Sequence, residues 1–179
     1  MMTCGPDRHR TPRPARRVGI TSGVIDTPPT QGDDGAMSSE TRAVTEEFMR
    51  RLGEGNHART AELFAEPVDW QLNWPSEGHP AVPWIRPRSS RQDVADHFRA
   101  LESHHVPERN GTTVTLVLVE GANAVVLGTI RQTLRANGAA YASPFALHLT
   151  VEGGLVSRYH IYEDSLTVAQ ALSSSSSPE

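Results

Sequence analysis

The stretch FALHLTVEGGLVSRYHIYED, residues 145–164, decides the fold, because it predicts two long antiparallel strands joined by a tight turn. In its first half, apolar side chains alternate with smaller or polar ones, the pattern of a strand with one buried face. The second half alternates in the same way, and Glu152, Gly153 and Gly154 supply the turn. A hairpin this long needs other elements to cover its apolar face, so we expect helices to pack there.

The composition narrows the class of protein. The 179 residues fit one domain with short extensions, and the net charge of -4 gives no basic surface for nucleic acid or for an anionic membrane. All 17 basic side chains are arginines, which excludes lysine Schiff-base chemistry and suits a GC-rich bacterial genome. The single cysteine, Cys4, argues against disulfides and thiolate metal sites. Because no apolar run is long enough to cross a bilayer, we expect a cytoplasmic protein without membrane or nucleic-acid partners.

The two ends of the chain are interpreted as extensions of one domain. Residues 1–37 are rich in Arg, Pro, Gly, Thr and Asp and offer little to bury, which predicts disorder. Met37 is a candidate for the natural start of the protein. The serine-rich residues 173–179 predict a disordered tail. The folded domain is therefore expected to span residues 38–172.

Between these ends the pattern predicts helices first and strands afterwards. Helices are expected from a cap at Ser38 or Ser39 to Leu52, from Arg59 to Phe64, from a cap at Ser89 or Ser90 to about His105, and from Leu166 to Leu172. A short strand is expected to start at Val68, after Pro67 ends the second helix. Longer strands are expected at residues 113–119, 123–135, 140–151 and 155–163. This order predicts an α+β domain, in which helices cover one face of a curved antiparallel sheet and enclose a pocket.

The order of elements and three segments of sequence resemble the SnoaL-like branch of the nuclear transport factor 2-like (NTF2-like), ketosteroid isomerase-like superfamily. The segments are ELFAEPVDWQLNW, RSSRQDVADHFRAL and GLVSRYHIYEDS. The resemblance implies a cone-shaped, cystatin-like fold and a homodimer with one apolar pocket per subunit. It does not select one activity, because this fold hosts isomerases, dehydratases, epoxide hydrolases, polyketide cyclases and binding modules.

Two catalytic sets of the superfamily are replaced by other residues in this chain. The positions that resemble the tyrosine, base and neutral acid of ketosteroid isomerase hold Phe48, Leu72 and Leu147. The positions that resemble the ionic triad of limonene epoxide hydrolase, and its Tyr and Asn, hold Ile130, Gln132, Ile161, Trp70 and Leu72. The resemblance therefore argues against both chemistries.

Four polar side chains are candidates for the chemistry. Gln132 is expected on an apolar strand face, where an amide needs partners, so it would orient a substrate carbonyl or bond a neighbouring side chain. Tyr159 would donate a hydrogen bond to an enolate, or would pack in the cavity with its hydroxyl outward. Glu163, or Asp164 if the last strand shifts slightly in register, would transfer a proton. The alternative for Glu163 is a solvated carboxylate at the strand end.

A second set of residues is expected to bind a flat hydrophobic ligand. Indole rings stack well on such a ligand, although Trp70 is alternatively core with the other two tryptophans covering it. The expected ligand-binding residues are Trp70, Leu72, Asn73, Trp74, Trp84, Phe98, Phe145, Leu147 and Ile161. His79 belongs to the same pocket mouth.

The remaining histidines favour other roles, and no metal site is expected. His148 and His160 fall on the solvent-exposed face with several arginines, which predicts a dimer surface. The neighbours His104 and His105 end a helix, where cationic side chains suit the helix dipole.

These residues support two hypotheses of function. The first is a cofactor-independent cyclase, isomerase or dehydratase that acts by proton transfer at an enolisable centre of a hydrophobic cyclic secondary metabolite. The alternative is a non-catalytic ligand-binding or dimerisation module. The two differ in whether an ionisable group with a shifted pKa lies inside the pocket.

Overall fold

The computed structural model describes residues 33–75 and 82–174, so the predictions for His79, for residues 1–32 and for residues 175–179 lie outside the described residues. Residues 33–37, which were predicted to be disordered, belong to a helix, as does Ser173. The helices are α1 (Asp33–Gly53), α2 (His57–Ala61), α3 (Arg91–His104) and α4 (Ser165–Ser173), and a 3₁₀ turn covers Pro107–Arg109. The strands are β1 (Phe64–Leu72), β2 (Gly111–Glu120), β3 (Asn123–Thr133), β4 (Ala140–Glu152) and β5 (Leu155–Glu163). The predicted α+β class is confirmed.

The five strands form one curved, unclosed sheet in the order β1-β5-β4-β3-β2. Strands β2 to β5 pair antiparallel with their sequence neighbours, as the pattern predicts. β1 pairs parallel with β5 and so adds a parallel edge to a sheet that the sequence predicted as antiparallel. The edge position also explains why Pro67 lies inside β1, since a proline without an N–H is tolerated there.

The β4–β5 hairpin forms as predicted from residues 145–164. Its turn consists of Gly153 and Gly154, both with positive φ (58° and 75°), which is the backbone of a two-residue turn that glycine adopts without strain. The register slips once, between Thr150 and Val151. Because of this bulge both Val156 and Tyr159 point into the core, although their spacing of three breaks simple alternation.

The core lies between the concave face of the sheet and helices α1 to α3. Phe48 of α1 is fully buried, and its ring centroid lies 5.8 Å from that of Phe64 and 6.1 Å from that of Tyr159. Val94 and Phe98 of α3 join the same cluster. α3 begins with a capping box, in which Ser90 and Asp93 bond each other's backbone N–H, so the cap predicted at Ser90 is confirmed.

The first two helices differ from the predicted bounds. α1 already includes Asp33, so it starts before the expected caps at Ser38 and Ser39. The Ser38 hydroxyl instead accepts a hydrogen bond from the backbone N–H of Gly121 at 3.0 Å, in the β2–β3 turn. α2 ends at Ala61 because the chain from Phe64 onwards pairs with β5.

The convex outer face of the sheet carries charged and apolar side chains in contact with solvent. Asp69 accepts a hydrogen bond from Nε of Arg158 at 2.8 Å, and its other carboxylate oxygen lies 2.9 Å from Nε2 of His160. Leu116 and Leu118 of β2 are 44% and 55% exposed. No helix among the described residues is long and apolar enough to cross a membrane.

Candidate functional site

A cavity of about 560 Å³ lies between the concave face of the sheet and the helices, a volume typical of small-molecule sites. Its walls come from α1, from the segment before α3, from α3 itself and from all five strands, and Val168 of α4 closes one side. The side chains used below that line it are His57, Leu72, Trp84, His97, Phe98, Glu102, Gln132, Tyr141, Tyr159, Ile161 and Glu163.

Glu163 is the buried carboxyl group of this cavity. It is the last residue of β5, so its backbone is held by the sheet. Its Oε1 accepts a hydrogen bond from the indole Nε1–H of Trp74 at 2.9 Å. Burial raises the pKa of Glu163 above its usual range, the neighbouring Asp164 adds to the rise, and the Trp74 hydrogen bond opposes it. The raised pKa makes this carboxylate a better proton acceptor than an ordinary one.

Asp164 follows directly in sequence and lies outside the cavity. It is the N-cap of α4, and its carboxylate accepts hydrogen bonds from the backbone N–H of Thr167 at 3.0 Å and from its hydroxyl at 2.7 Å. These bonds lower the pKa of the exposed Asp164 carboxyl group. The expectation that Asp164 could transfer the proton is therefore wrong for this geometry, because helix capping turns its side chain to solvent.

Gln132 lies on the cavity wall, on the apolar side of β3, as predicted. Tyr141 donates its hydroxyl proton to Gln132 Oε1. The Tyr141 oxygen also lies 2.9 Å from Nε2 of His105, whose Nδ1 lies 2.7 Å from the carbonyl oxygen of Leu101. The carbonyl side of the Gln132 amide is thus held by Tyr141, and its NH₂ group stays available for a ligand.

Tyr159 and Trp70 form a stacked pair of which only Tyr159 lines the cavity. Their ring centroids are 4.1 Å apart and their planes differ by 10°. Burial raises the pKa of Tyr159, so its hydroxyl keeps its proton at any physiological pH. Trp70 lies behind this ring, which corrects its predicted role as a ligand contact and agrees with the alternative that it belongs to the core.

The other predicted ligand-binding residues divide into two groups. Leu72, Trp84, Phe98 and Ile161 line the cavity. Phe145 and Leu147 do not, because they are buried in the core beneath the cavity wall. Asn73 and Trp74 are also absent from the lining. Asn73 is exposed and donates to the backbone carbonyl of Glu163 at 3.4 Å, and the indole of Trp74 donates to the Glu163 side chain.

Four polar residues of the site were not predicted from the sequence. His97 lines the cavity and lies between Val94 and Phe98 on the buried side of α3. An ionisable histidine on this apolar stripe was the feature of the sequence that could have indicated it. His57 and Glu102 also line the cavity, where Nε2 of His57 lies 2.8 Å from a carboxylate oxygen of Glu102. Tyr141 was also not predicted, although it pairs with Gln132 across β3 and β4.

Among the described residues, the carboxyl groups that line the cavity are not matched by any arginine. No arginine is among the described residues that line it, whereas two glutamates are. The part of the chain that the structure describes holds no group of three or more His, Cys, Asp and Glu side chains placed to bind a metal ion.

Comparisons with known proteins agree with this architecture. The sequence model of the SnoaL-like domain family matches residues 45–159. None of the curated proteins matches the chain significantly.

Solved structures share the fold at low sequence identity. An NTF2-like protein from Burkholderia xenovorans LB400 has a TM-score of 0.61 and 17% identity, over 75% of this chain and 96% of that one. A proposed SnoaL-like polyketide cyclase from Jannaschia sp. CCS1 has a TM-score of 0.57 and 18% identity, over 80% and 96%. A proposed isomerase from Rhodopseudomonas palustris has a TM-score of 0.58 and 16% identity, over 73% and 97%. At these identities the likeness shows the fold alone.

Proposed function

Because this chain belongs to the SnoaL-like domain family, we propose that it is a cofactor-independent enzyme that transfers a proton at an enolisable carbon of a hydrophobic cyclic ligand. The observation that carries the proposal is the position of Glu163, a carboxyl group with a raised pKa inside an aromatic cavity. A binding module has no need of such a group, since burying it costs free energy and contributes nothing to apolar binding.

Glu163 acts as the base in this proposal. The C–H bond next to a carbonyl breaks, its proton moves to the free carboxylate oxygen of Glu163, and the electron pair moves to the carbonyl oxygen. Trp74 holds the other oxygen through its hydrogen bond, so the carboxylate is oriented before the ligand arrives. A carboxylate whose pKa is raised is a stronger base than an ordinary carboxylate.

The developing negative charge on the ligand oxygen is stabilised by donors on the sheet. The Gln132 NH₂ group is available because Tyr141 holds the amide oxygen, and the Tyr159 hydroxyl remains protonated. Donors that are fixed in a cavity with little water stabilise such charge more than solvent does. Trp84 and Phe98 supply aromatic surface for the rings of the ligand.

The same first step serves several reactions. Return of the proton at another carbon gives an isomerase, attack of the enolate on a second carbonyl gives a cyclase, and loss of a hydroxyl group gives a dehydratase. The proposed isomerase and the proposed polyketide cyclase among the structural neighbours fit the first two outcomes. A cyclic secondary metabolite is the substrate class that this reading favours.

Deuterium exchange tests the proposal without knowledge of the natural substrate. The protein is incubated in D₂O with polycyclic ketones, quinones and lactones, and loss of the α-proton signal is followed by NMR. We expect exchange with at least one ligand, and Glu163→Gln should lower its rate by about 10²- to 10⁴-fold, the usual contribution of a general base.

Asp164→Asn is the matched control, because it changes the adjacent carboxylate and asparagine also caps helices. Its exchange rate should fall far less than that of Glu163→Gln, since Asp164 lies outside the cavity and makes the smallest contribution to the raised pKa of Glu163. Ligand binding in calorimetry without any exchange above the buffer rate would overturn the enzymatic proposal. That result would support the non-catalytic binding module instead.

A further inference from the structure

His97 is held in one orientation on the cavity wall. It lies on α3, its side chain is 3% exposed, and its ring packs edge-on against Trp70 with centroids 4.9 Å apart. On one side, its Nδ1 lies 3.2 Å from the carbonyl oxygen of Trp84. A carbonyl can only accept, so Nδ1 carries the proton.

In this orientation, Nε2 of His97 is a hydrogen-bond acceptor. With the proton on Nδ1, the neutral ring has its lone pair on Nε2, and burial together with the nearby Arg88 lowers the pKa of His97 to about 3. The hydrogen bond to the Trp84 carbonyl involves Nδ1 alone, and His97 lines the cavity, so a ligand there can reach Nε2. A ligand that donates a hydrogen bond to this acceptor gains affinity.

The charges of the cavity restrict the ligand further. No arginine among the described residues lines it, and the chain has no lysine at all, so an anionic group would find no partner there. Glu163 and Glu102 would instead repel it. His97 also cannot serve as a cation, because its ring is enclosed by aromatic side chains.

We infer that the cavity selects an uncharged aromatic or polycyclic ligand that carries a hydroxyl group, and that this hydroxyl donates a hydrogen bond to Nε2 of His97. The inference rests on the proposed function, since it names the substrate class of the same site. It adds His97 as a residue that determines specificity, separate from the proton transfer at Glu163.

Three matched probes test it by calorimetry at pH 7: 2-naphthol, which has a hydroxyl donor, 2-methoxynaphthalene, which has none, and 2-naphthoate, which is an anion. We expect 2-naphthol to bind about 3- to 10-fold more tightly than the methoxy compound, the value of one hydrogen bond. 2-Naphthoate should bind more weakly than both. In His97→Phe, which keeps an aromatic ring without an acceptor, the preference for the hydroxyl should disappear.

A measurement on the wild-type protein tests the same contact in case the His97→Phe variant does not fold. The ¹⁵N chemical shift of His97 Nε2 should move when 2-naphthol binds and should stay in place with 2-methoxynaphthalene. Equal affinities of these two probes, an unmoved Nε2 signal, tighter binding of 2-naphthoate or no binding of any probe would each overturn the inference.

Glu163→Gln separates this inference from the proposed function. If both are right, the variant loses deuterium exchange with ketones and keeps the hydroxyl preference of wild type. Hydroxyl preference without exchange in wild type would overturn the enzymatic proposal alone. Exchange that depends on Glu163, with no hydroxyl preference, would overturn the inference alone.

Discussion

The concave face of the sheet and the Asp69 cluster on its convex face shift pKa values for opposite physical reasons. On the concave face, burial shifts the pKa of His97 down to about 3 and the pKa values of Tyr159 and Glu163 up, so each shift favours the neutral form. On the convex face, hydrogen bonds from His160 and Arg158 lower the pKa of Asp69, which favours the charged form. The same strand, β5, supplies residues to both faces.

The local surroundings of a group, more than its residue type, decide the direction of its pKa shift. Glu163 and Asp164 are adjacent carboxyl groups, but one ends β5 inside the cavity and the other caps α4 in solvent. Their pKa values therefore shift in opposite directions. The alternation of β5 and the N-cap of α4 thus place two adjacent carboxyl groups in opposite environments.

The largest expected effect is on stability. It is tested by comparing alanine substitutions of two leucines, one on each face of the sheet. Leu149 on the concave face is 0% exposed, whereas Leu118 on the convex face is 55% exposed. Leu149→Ala should lower the free energy of unfolding by about 2–5 kcal/mol, because it leaves a cavity in the core. Leu118→Ala should change it by less than about 0.5 kcal/mol, measured in the same urea titration.

A large effect of Leu118→Ala that depends on protein concentration would contradict this comparison. It would show that the convex face is covered by a second copy of the chain. The homodimer that the sequence resemblance implies is still a prediction, and this result would support it.

The second comparison concerns the pH dependence of stability for the two neighbouring carboxyl groups. The raised pKa of Glu163 stabilises the fold below about pH 4.3, its unfolded pKa, and this contribution is lost as the pH rises through the folded value. Glu163→Gln should therefore gain Tm relative to wild type as the pH rises above about 4.3. Thermal unfolding followed by circular dichroism across this range measures it.

Asp164 should behave in the opposite way. Its lowered pKa gives stability above about pH 3.9, which is lost as the pH falls through the folded value. Wild type should thus lose its advantage over Asp164→Asn on acidification. Parallel pH profiles of the Glu163 and Asp164 variants would show that the two environments do not differ.

The smallest expected effect is on the convex face. Asp69→Asn removes the ion pair with Arg158, whose two side chains are 52% and 42% exposed. An exposed pair is screened by water and salt, so the free energy of unfolding should fall by less than about 1 kcal/mol, and by less still in 1 M NaCl. A loss of free energy of unfolding that does not change with salt would show that the Asp69–Arg158 ion pair is shielded from solvent.

Much of this fold could be predicted because each element has a strong local signal. The alternation of residues 145–164 and the two glycines determine the hairpin, and Ser90 with Asp93 determines the start of α3. The parallel pairing of β1 with β5 could not be predicted, because it joins residues about 90 positions apart in sequence and leaves no local pattern.

The site was predicted only where alternation determines the direction of a side chain. Gln132, Tyr159, Glu163 and Ile161 fall on the expected face of their strands. Asp164 was misplaced because one residue of register decides between cavity and solvent. His97 was missed because a helical stripe does not distinguish a residue that packs in the core from one that borders a cavity within it.

β2 is an edge strand of ten residues, and in the described chain its outer backbone groups have no neighbouring strand. Its sequence, GTTVTLVLVE, combines high β propensity with a single charge at its end. Sheets commonly protect such edges with lysine, which this chain lacks, or with proline. Concentrated solutions of the protein will therefore be prone to aggregation by strand addition at β2, and a low protein concentration or a bound chaperone should suppress it.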